Sequence, residues 1–536
     1  MLFRVLNLSH SPISEHIPKK SSFHLQFTCP FVYFFTMKTT KTFHIIIYGC
    51  QMNYSDSARI KAVLSNSWMA YVDNKEQADI VILDTCSVRQ KSEDKVWGQL
   101  KELRSDQKIW LTWCMIGHNL NLKKTGTTKS KKMTMGNFVD SVSSSEPMIV
   151  WLESLQEDSA LQKVVKAFKT WKSDAPDNIL YVNHAFDPLF RKMNAQFPNV
   201  ELFFRINDLW LLPYALKKLW YEVNPHVDIV NEYTGIIPHN ANMLFKENTK
   251  TAYVPISTWC SQFCAYCIVP YARGLEKNRP IDEIMTEVQA HVRDGAEEIV
   301  LLGQIVNKHP DFYQILKQTA ETPWVRWVRY TSPYPTYYSQ EIWDLHESME
   351  NICPHVHMPL QSGSDAVLKK MFRGYTTDQY RQFVDEIRSI KRKMSITTDI
   401  IVGFCDETEE DFVESLELTR YSKFDMIYIG IYSPRPWTYG ARKYEDNVPT
   451  DVKKERRARL NDVLTDISAQ NNQAEIGQTR LMMIKSVSPW SIAWYTDNMK
   501  NIVVTVPEDH TYTVWSFVTA TITDVKPFTL YGHVVV

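Results

Sequence analysis

The chain has 536 residues, and its 60 Lys and Arg nearly balance 61 Asp and Glu, for a formal net charge of −1. That balance excludes capture of nucleic acid by overall charge and leaves the task to local basic patches. A hydrophobic share of 44% and only nine cysteines exclude a disordered chain and a disulfide scaffold, and no run approaches the roughly 20 apolar residues of a membrane helix.

Residues 1–36 hold a basic pair, Lys19 and Lys20, then an apolar stretch that no small-residue cleavage site follows. They read as a mis-set start or disordered leader, with Met37 opening the natural chain and Cys29 given no role. From there strand and helix patterns alternate. Segments 43–48, 80–84 and 109–112 suit buried parallel strands, and 55–64 and 93–104 suit helices. This alternation predicts a doubly wound α/β domain over 37–245. Its stretch 124–184 is weakly patterned and reads as an insertion before "VELFFRINDL" resumes the domain.

A second α/β series fills 246–475. Strands are predicted at 251–256, 297–302, 325–330, 355–358, 396–402 and 425–431. Helices fall at 281–294, 311–320, 339–349, 376–393 and 408–420. Six such units curl into a (βα)6-type partial barrel. A charged helix over 451–475 follows. The remaining residues, 476–536, carry short β-rich segments such as "NIVVTV" and "FVTATIT" and predict a small β-barrel. The fold class is therefore α/β with an all-β C-terminal unit.

The most specific signal is Cys260-Ser-Gln-Phe-Cys264-Ala-Tyr-Cys267, placed just after a predicted strand. Three thiolates in eight residues suit three corners of a [4Fe–4S] cube, leaving one iron open to a substrate group. A zinc site would want a fourth Cys or His close by, and none follows. Cys50, Cys86 and Cys114 each follow a strand at its C-terminal end, the edge where open parallel sheets place ligands. Spacing alone favours three ordinary buried cysteines there. Cys353 and Cys405 lack any partner pattern and read as packing residues.

The segment "CSQFCAYCIVPYARG" resembles the methylthiotransferase branch of the radical S-adenosylmethionine enzymes, as do "EIVLLGQIVN", "HMPLQSGSDAVLKKMFRGYT", "ITTDIIVGFCDETEEDF" and "YSPRPWTYGA". The resemblance covers 43–123 and about 185–536. It implies that the open iron of one cluster chelates S-adenosylmethionine and that reductive cleavage yields a 5′-deoxyadenosyl radical. It assigns Cys50, Cys86 and Cys114 to a second [4Fe–4S] cluster. It also implies cofactor contacts at Tyr266 beside the adenine and at Gln304, Gln361, Ser362 and Asp399. The C-terminal unit resembles a TRAM domain, an RNA-binding barrel. "GFCDETEEDF" lacks the Pro-Gly usual after the Phe, which bears only on local loop geometry.

"PLQSGS" resembles the tRNA-modifying branches rather than the one acting on a ribosomal-protein aspartate, and "GCQMN" at 49–53 resembles the branch acting on tRNA at C2 of N6-isopentenyladenosine-37. The alternatives are the threonylcarbamoyl-adenosine branch and a nonenzymatic iron–sulfur RNA-binding protein. The resemblance further implies a tRNA anticodon stem-loop as partner, a low-potential electron donor of flavodoxin or ferredoxin type, a monomer, and a cytoplasmic location. Two basic stretches are offered to the RNA: Arg388, Lys391, Arg392 and Lys393, then Lys453, Lys454, Arg456, Arg457 and Arg459. The plainer alternative for each is a solvated helix face.

Tryptophan is as common as glycine, 16 of each, where glycine ordinarily supplies about 7% of residues. Trp113, Trp259, Trp437 and Trp494 stand where the family pattern has glycine, and Trp110, Trp324, Trp490 and Trp515 are further suspects. The expectation is that the native chain carries glycine there, from UGA codons read as tryptophan.

Overall fold

Runs of β-branched and aliphatic residues that are apolar on both faces can only be satisfied inside a parallel sheet with both faces covered. The N-terminal unit is such a sheet. Strands β1 (Thr42–Tyr48), β2 (Ala70–Tyr71), β3 (Ile80–Thr85), β4 (Lys108–Trp113) and β5 (Val200–Phe204) lie in the order β2-β1-β3-β4-β5, all parallel. Helix α1 (Gln51–Asn66) follows β1 and packs its Ile60, Val63 and Leu64 inward. The computed structural model describes residues 40–49, 51–85, parts of 95–113 and 200–212, then 250–273, 276–435, 437–506 and 511–535. The leader, the insertion and Cys50, Cys86 and Cys114 lie outside the described residues.

The central unit begins with β6 (Thr251–Pro255) and a short antiparallel pair, β7 (Ser257–Thr258) with β8 (Lys277–Asn278). Helix α2 (Ile281–Arg293) leads to β9 (Glu298–Leu302), α3 (Phe312–Glu321) to β10 (Trp327–Tyr330), and α4 (Gln340–Ser348) to β11 (His355–His357). Helix α5 (Thr377–Ser389) precedes β12 (Ser395–Val402), and α6 (Glu409–Ser422) precedes β13 (Met426–Ile431). All six expected strands and five expected helices are present. The starts of α5 and α6 are set by capping boxes, Thr376 with Gln379 and Thr408 with Asp411, which satisfy backbone donors that a helix leaves open.

The strands form two parallel halves, β6-β9-β10 and β11-β12-β13. Backbone bonds from Val328 N to Asn351 O and Cys353 N to Val328 O join them. Alternation along each strand gives the wall two faces. Outward residues, Val254, Ile299 and Val328 in one half and Val356, Ile396 and Ile427 in the other, pack under the helices. Inward residues are more polar. Helix α7 (Thr450–Gln473) then leads into a closed barrel of β14 (Thr479–Val487), β15 (Ser491–Thr496), β16 (Asn501–Thr505), β17 (Phe517–Lys526) and β18 (Thr529–Val534).

The N- and C-terminal units each lean on the inner wall of the first half. Tyr54 on α1 stacks on Tyr253, ring centroids 5.7 Å apart, and Met52 packs with Val300 and Leu302. From the C-terminal barrel, Phe517 meets Trp327 edge-on at 4.8 Å, and Tyr495 donates to Glu298 at 2.9 Å. Arg329 pairs with the same carboxylate at 2.8 Å and donates to the carbonyls of Asp497 and Thr496.

Thirteen described non-glycine residues have positive φ, and five of them are tryptophans: Trp68, Trp259, Trp324, Trp437 and Trp515. A bulky residue there sets Cβ against the carbonyl and costs about 1–2 kcal/mol. Trp113 and Trp494 differ: they sit in paired strand registers, opposite Thr85 and Ile502, and are not among the positive-φ residues. Neither are Trp110 and Trp490.

Candidate active site

The β7–β8 pair closes the base of a long loop, pairing Thr258 with Lys277, and Cys260, Cys264 and Cys267 sit within that loop. The loop is irregular, so its shape must come from distant partners. Ala265 N donates to Met371 O at 3.0 Å, and Gly440 N donates to Ala265 O at 2.7 Å. A Cβ on Gly440 would stand 2.9 Å from that same carbonyl, so the close approach requires glycine. Glu276 N donates to Ser261 Oγ, and Gln262 Nε2 reaches Tyr334 Oη. Tyr266 packs against a cluster of Ala265, Val367, Met371, Phe404 and Tyr432.

Cys260 and Cys264 are buried and Cys267 half-buried. Burial pushes the Cys260 thiol up to about 11 and Cys267 further, so cluster binding must displace thiol protons. Two donors already face the sulfurs. Gln262 N lies 3.4 Å from Cys260 Sγ, and Arg373 Nη1 lies 3.6 Å from Cys264 Sγ. Soft sulfur ligands with cationic and N–H donors beside them fit an anionic iron–sulfur cluster. Among the described residues no three His, Cys, Asp or Glu side chains gather as a site for a single metal ion.

Of the other expected contacts, Asp399 faces into the barrel. Its Oδ2 lies 3.0 Å from His357 Nε2, while His357 Nδ1 and His355 Nε2 both meet Thr397 Oγ1 at 2.9 Å. Burial holds His355 well below the usual imidazole range, so it is neutral. Tyr428 stands edge-on to His357 at 5.8 Å with 47% of its surface exposed. Gln361 is held by backbone bonds to Asp399 O and from Ile401 N, at φ 74°. Ser362 is buried inside its own loop, accepting from Ser364 N. A Cβ on the next residue, Gly363, would stand 2.4 Å from Ser415 Cα, so "QSGS" is shaped by contact with α6. Gln304 is half-buried two residues past β9.

Sequence reasoning missed Arg373, Tyr334, His357 and Gly440. The only local sign was an arginine set among Phe372, Tyr375 and nearby lysines. The basic stretches are also corrected. Lys453 is bound to Asp446 and Arg456 to Glu407, both nearly fully buried, while Arg388 and Arg392 donate to backbone carbonyls and Lys393 pairs with Glu475. Of the second stretch, Lys454 and Arg457 are exposed, Lys453 and Arg456 turn inward, and the half-exposed Arg459 pairs with Glu409 and Glu455. Cys353 and Cys405 are packing residues, as expected.

Cys86 and Cys114 directly follow strand ends and Cys50 comes two residues after one, and these ends stand in one row: Tyr48 is opposite Thr85, and Thr85 is opposite Trp113.

A three-thiol loop at the mouth of a parallel partial barrel defines a radical S-adenosylmethionine enzyme. Residues 254–419 match the Radical SAM superfamily, and 42–133 match the family described as Uncharacterized protein family UPF0004. The tRNA-2-methylthio-N(6)-dimethylallyladenosine synthase of Anoxybacillus flavithermus is 31% identical over 523 residues, covering 96% of this chain and 86% of that protein. The enzyme of that name from Caldicellulosiruptor saccharolyticus is 30% identical, covering 94% of each. The chain belongs to the tRNA-2-methylthio-N(6)-dimethylallyladenosine synthase family.

Proposed function

We propose that the chain adds a methylthio group to C2 of N6-isopentenyladenosine at position 37 of tRNA. It would use S-adenosylmethionine and two [4Fe–4S] clusters, one on Cys260, Cys264 and Cys267 and one on Cys50, Cys86 and Cys114. The observation that carries this reading is the three-thiol loop, whose Cys264 shares Arg373 with the Pro359 carbonyl just past β11. When bound, the cluster and S-adenosylmethionine supply a carbon radical able to open an unreactive aromatic C–H.

The chain's own residues prepare that chemistry. Tyr266, within the loop next to Cys267, offers a ring edge for the adenine of the cofactor. Asp399 and His357 offer hydrogen bonds on the inner wall, with Gln304, Gln361 and Ser362 nearby in the strand-end loops. Tyr428 offers a ring on which an extruded base can stack. The C-terminal barrel, docked on the first half of the wall, is the RNA-binding unit. A flavodoxin- or ferredoxin-type donor, a monomeric state and a cytoplasmic location complete the proposal; among the described residues no helix is long and apolar enough to cross a membrane.

The test is nucleoside analysis of tRNA after incubation with anaerobically reconstituted protein, S-adenosylmethionine and a reductant. The 2-methylthio derivative of isopentenyladenosine is expected. Product only on threonylcarbamoyl-modified tRNA would move the chain to the sister branch, and absence of 5′-deoxyadenosine would end the enzyme reading.

A further inference from the structure

Three buried arginines elsewhere in the molecule pair with carboxylates: Arg279 with Glu287, Arg329 with Glu298, and Arg456 with Glu407. Arg373 has none among the described residues. Its Nη1 faces Cys264 Sγ, its Nη2 donates to Pro359 O at 3.1 Å, and its Nε donates to Tyr375 Oη at 3.0 Å. The guanidinium lies over the Tyr334 ring at 4.4 Å and near that of Tyr375 at 5.1 Å. Two aromatic faces, a carbonyl and a sulfur fix this cation while giving it no full counter-charge. A cluster held by thiolates supplies that charge.

We infer that Arg373 is a positioning residue whose charge eases reduction of the cluster on Cys260, Cys264 and Cys267, an inference that rests on the proposed function. Reduction brings one electron from the external low-potential donor and adds one negative charge beside the guanidinium. A nearby fixed cation and a hydrogen bond to a ligand sulfur both favour that state and raise the potential.

The experiment uses the full chain with Cys50, Cys86 and Cys114 changed to Ala, so that one cluster signal remains. Arg373→Met and Arg373→Lys versions are titrated potentiometrically with detection by electron paramagnetic resonance, beside iron analysis. Arg373→Met is expected to reduce about ten-fold less favourably, a fall near 59 mV for one electron, and Arg373→Lys to recover most of it. If Met fails to hold iron while Lys holds it, the charge role also stands. Parental midpoints in both variants, or iron loss from both in folded protein, overturn it. A parent that binds no iron would instead sink the proposed function.

An independent observation concerns the tryptophans at positive φ. Trp68 closes α1: Met69 N donates to Leu64 O and Trp68 N to Ser65 O, which makes Trp68 the C′ residue of a Schellman motif at φ 67°. Trp324, Trp437 and Trp515 are each third in a four-residue turn. These turns are closed by Val325 N to Thr322 O, Thr438 N to Arg435 O and Ser516 N to Thr513 O. Their φ values of 75°, 76° and 71° are those of type II turns, where that position calls for glycine. Trp259, at φ 69°, directly precedes Cys260. Trp437 also leaves its buried Nε1 without a partner among the described residues. Trp327 and Trp343 behave otherwise: both are buried at ordinary φ, and Trp343 Nε1 donates to Glu386.

The geometry points to glycine as the native residue at positions 68, 259, 324, 437 and 515, with one reassigned codon as the common cause. Mass spectrometry of peptide 251–273 from source cells decides the matter. A glycine residue mass at 259 is expected, and tryptophan there overturns the inference. As a second measurement, recombinant protein with Trp68, Trp324 and Trp515 changed to Gly is expected to melt at a higher temperature. A lower melting temperature counts against it.

Discussion

In the β6-β9-β10 half of the central barrel, neighbouring units cover the inner wall: Tyr54 and Met52 from one side, Tyr495 and Phe517 from the other, with Glu298 and Arg329 between. In the β11-β12-β13 half, the inner wall carries His355, His357, Thr397, Asp399 and an exposed Tyr428. One scaffold thus divides its interior between assembly and chemistry. The difference teaches that inward polar residues have two separate uses here. Where they are paired and buried they join domains, and where they are left half-open they are available to a ligand.

Breaking the covered half should produce the largest effect. Arg329→Met strands the Glu298 carboxylate, whose own surface is fully buried, and is expected to cost about 3–5 kcal/mol in urea denaturation.

A pH titration probes the same half from its helix side. His346 accepts or shares a hydrogen bond with Tyr330 Oη at 2.8 Å; burial, then the charge of Arg392, holds it down to about 3. The unfolded chain takes up that proton near 6.5, while the folded chain takes it up only near 3. Its contribution is therefore complete above 6.5 and disappears as the pH falls toward 3, by up to about 1.4 kcal/mol per pH unit. His346→Gln should flatten that slope in acid denaturation curves.

Tyr54→Ala removes one stacked ring pair between units and should cost about 0.5–1.5 kcal/mol beyond the lost burial. In the open half, His357→Gln should change stability least, by less than about 1 kcal/mol. Its effect belongs to the chemistry: modified nucleoside formation should fall more than tenfold, read by the same tRNA analysis. A stability loss as large as that of Arg329→Met would erase the distinction between the halves.

Much of this was legible beforehand because parallel strands buried on both faces leave dense apolar runs. The six strands of the barrel and α2–α6 fall within a few residues of their expected limits, with α5 ending earlier, at Ser389. The cysteine loop was legible because its ligands lie in one short segment. Arg373 was not, since it meets Cys264 across 109 residues of chain. The basic residues of α7 misled for a related reason. Charge is visible in a sequence, but whether Arg456 faces solvent or Glu407 depends on how the helix is rotated against α6.

By itself, then, the sequence determined local matters: where chain becomes strand or helix, and which sulfurs sit close enough along it to share a cluster. Only tertiary structure decided which inward residues are covered, which cations are already neutralised, and which tryptophans stand at backbone angles suited to glycine. The physical reason is that periodicity and spacing are properties of neighbours along the chain. Burial, ion pairing and the backbone angle at a turn depend on residues that folding alone brings together.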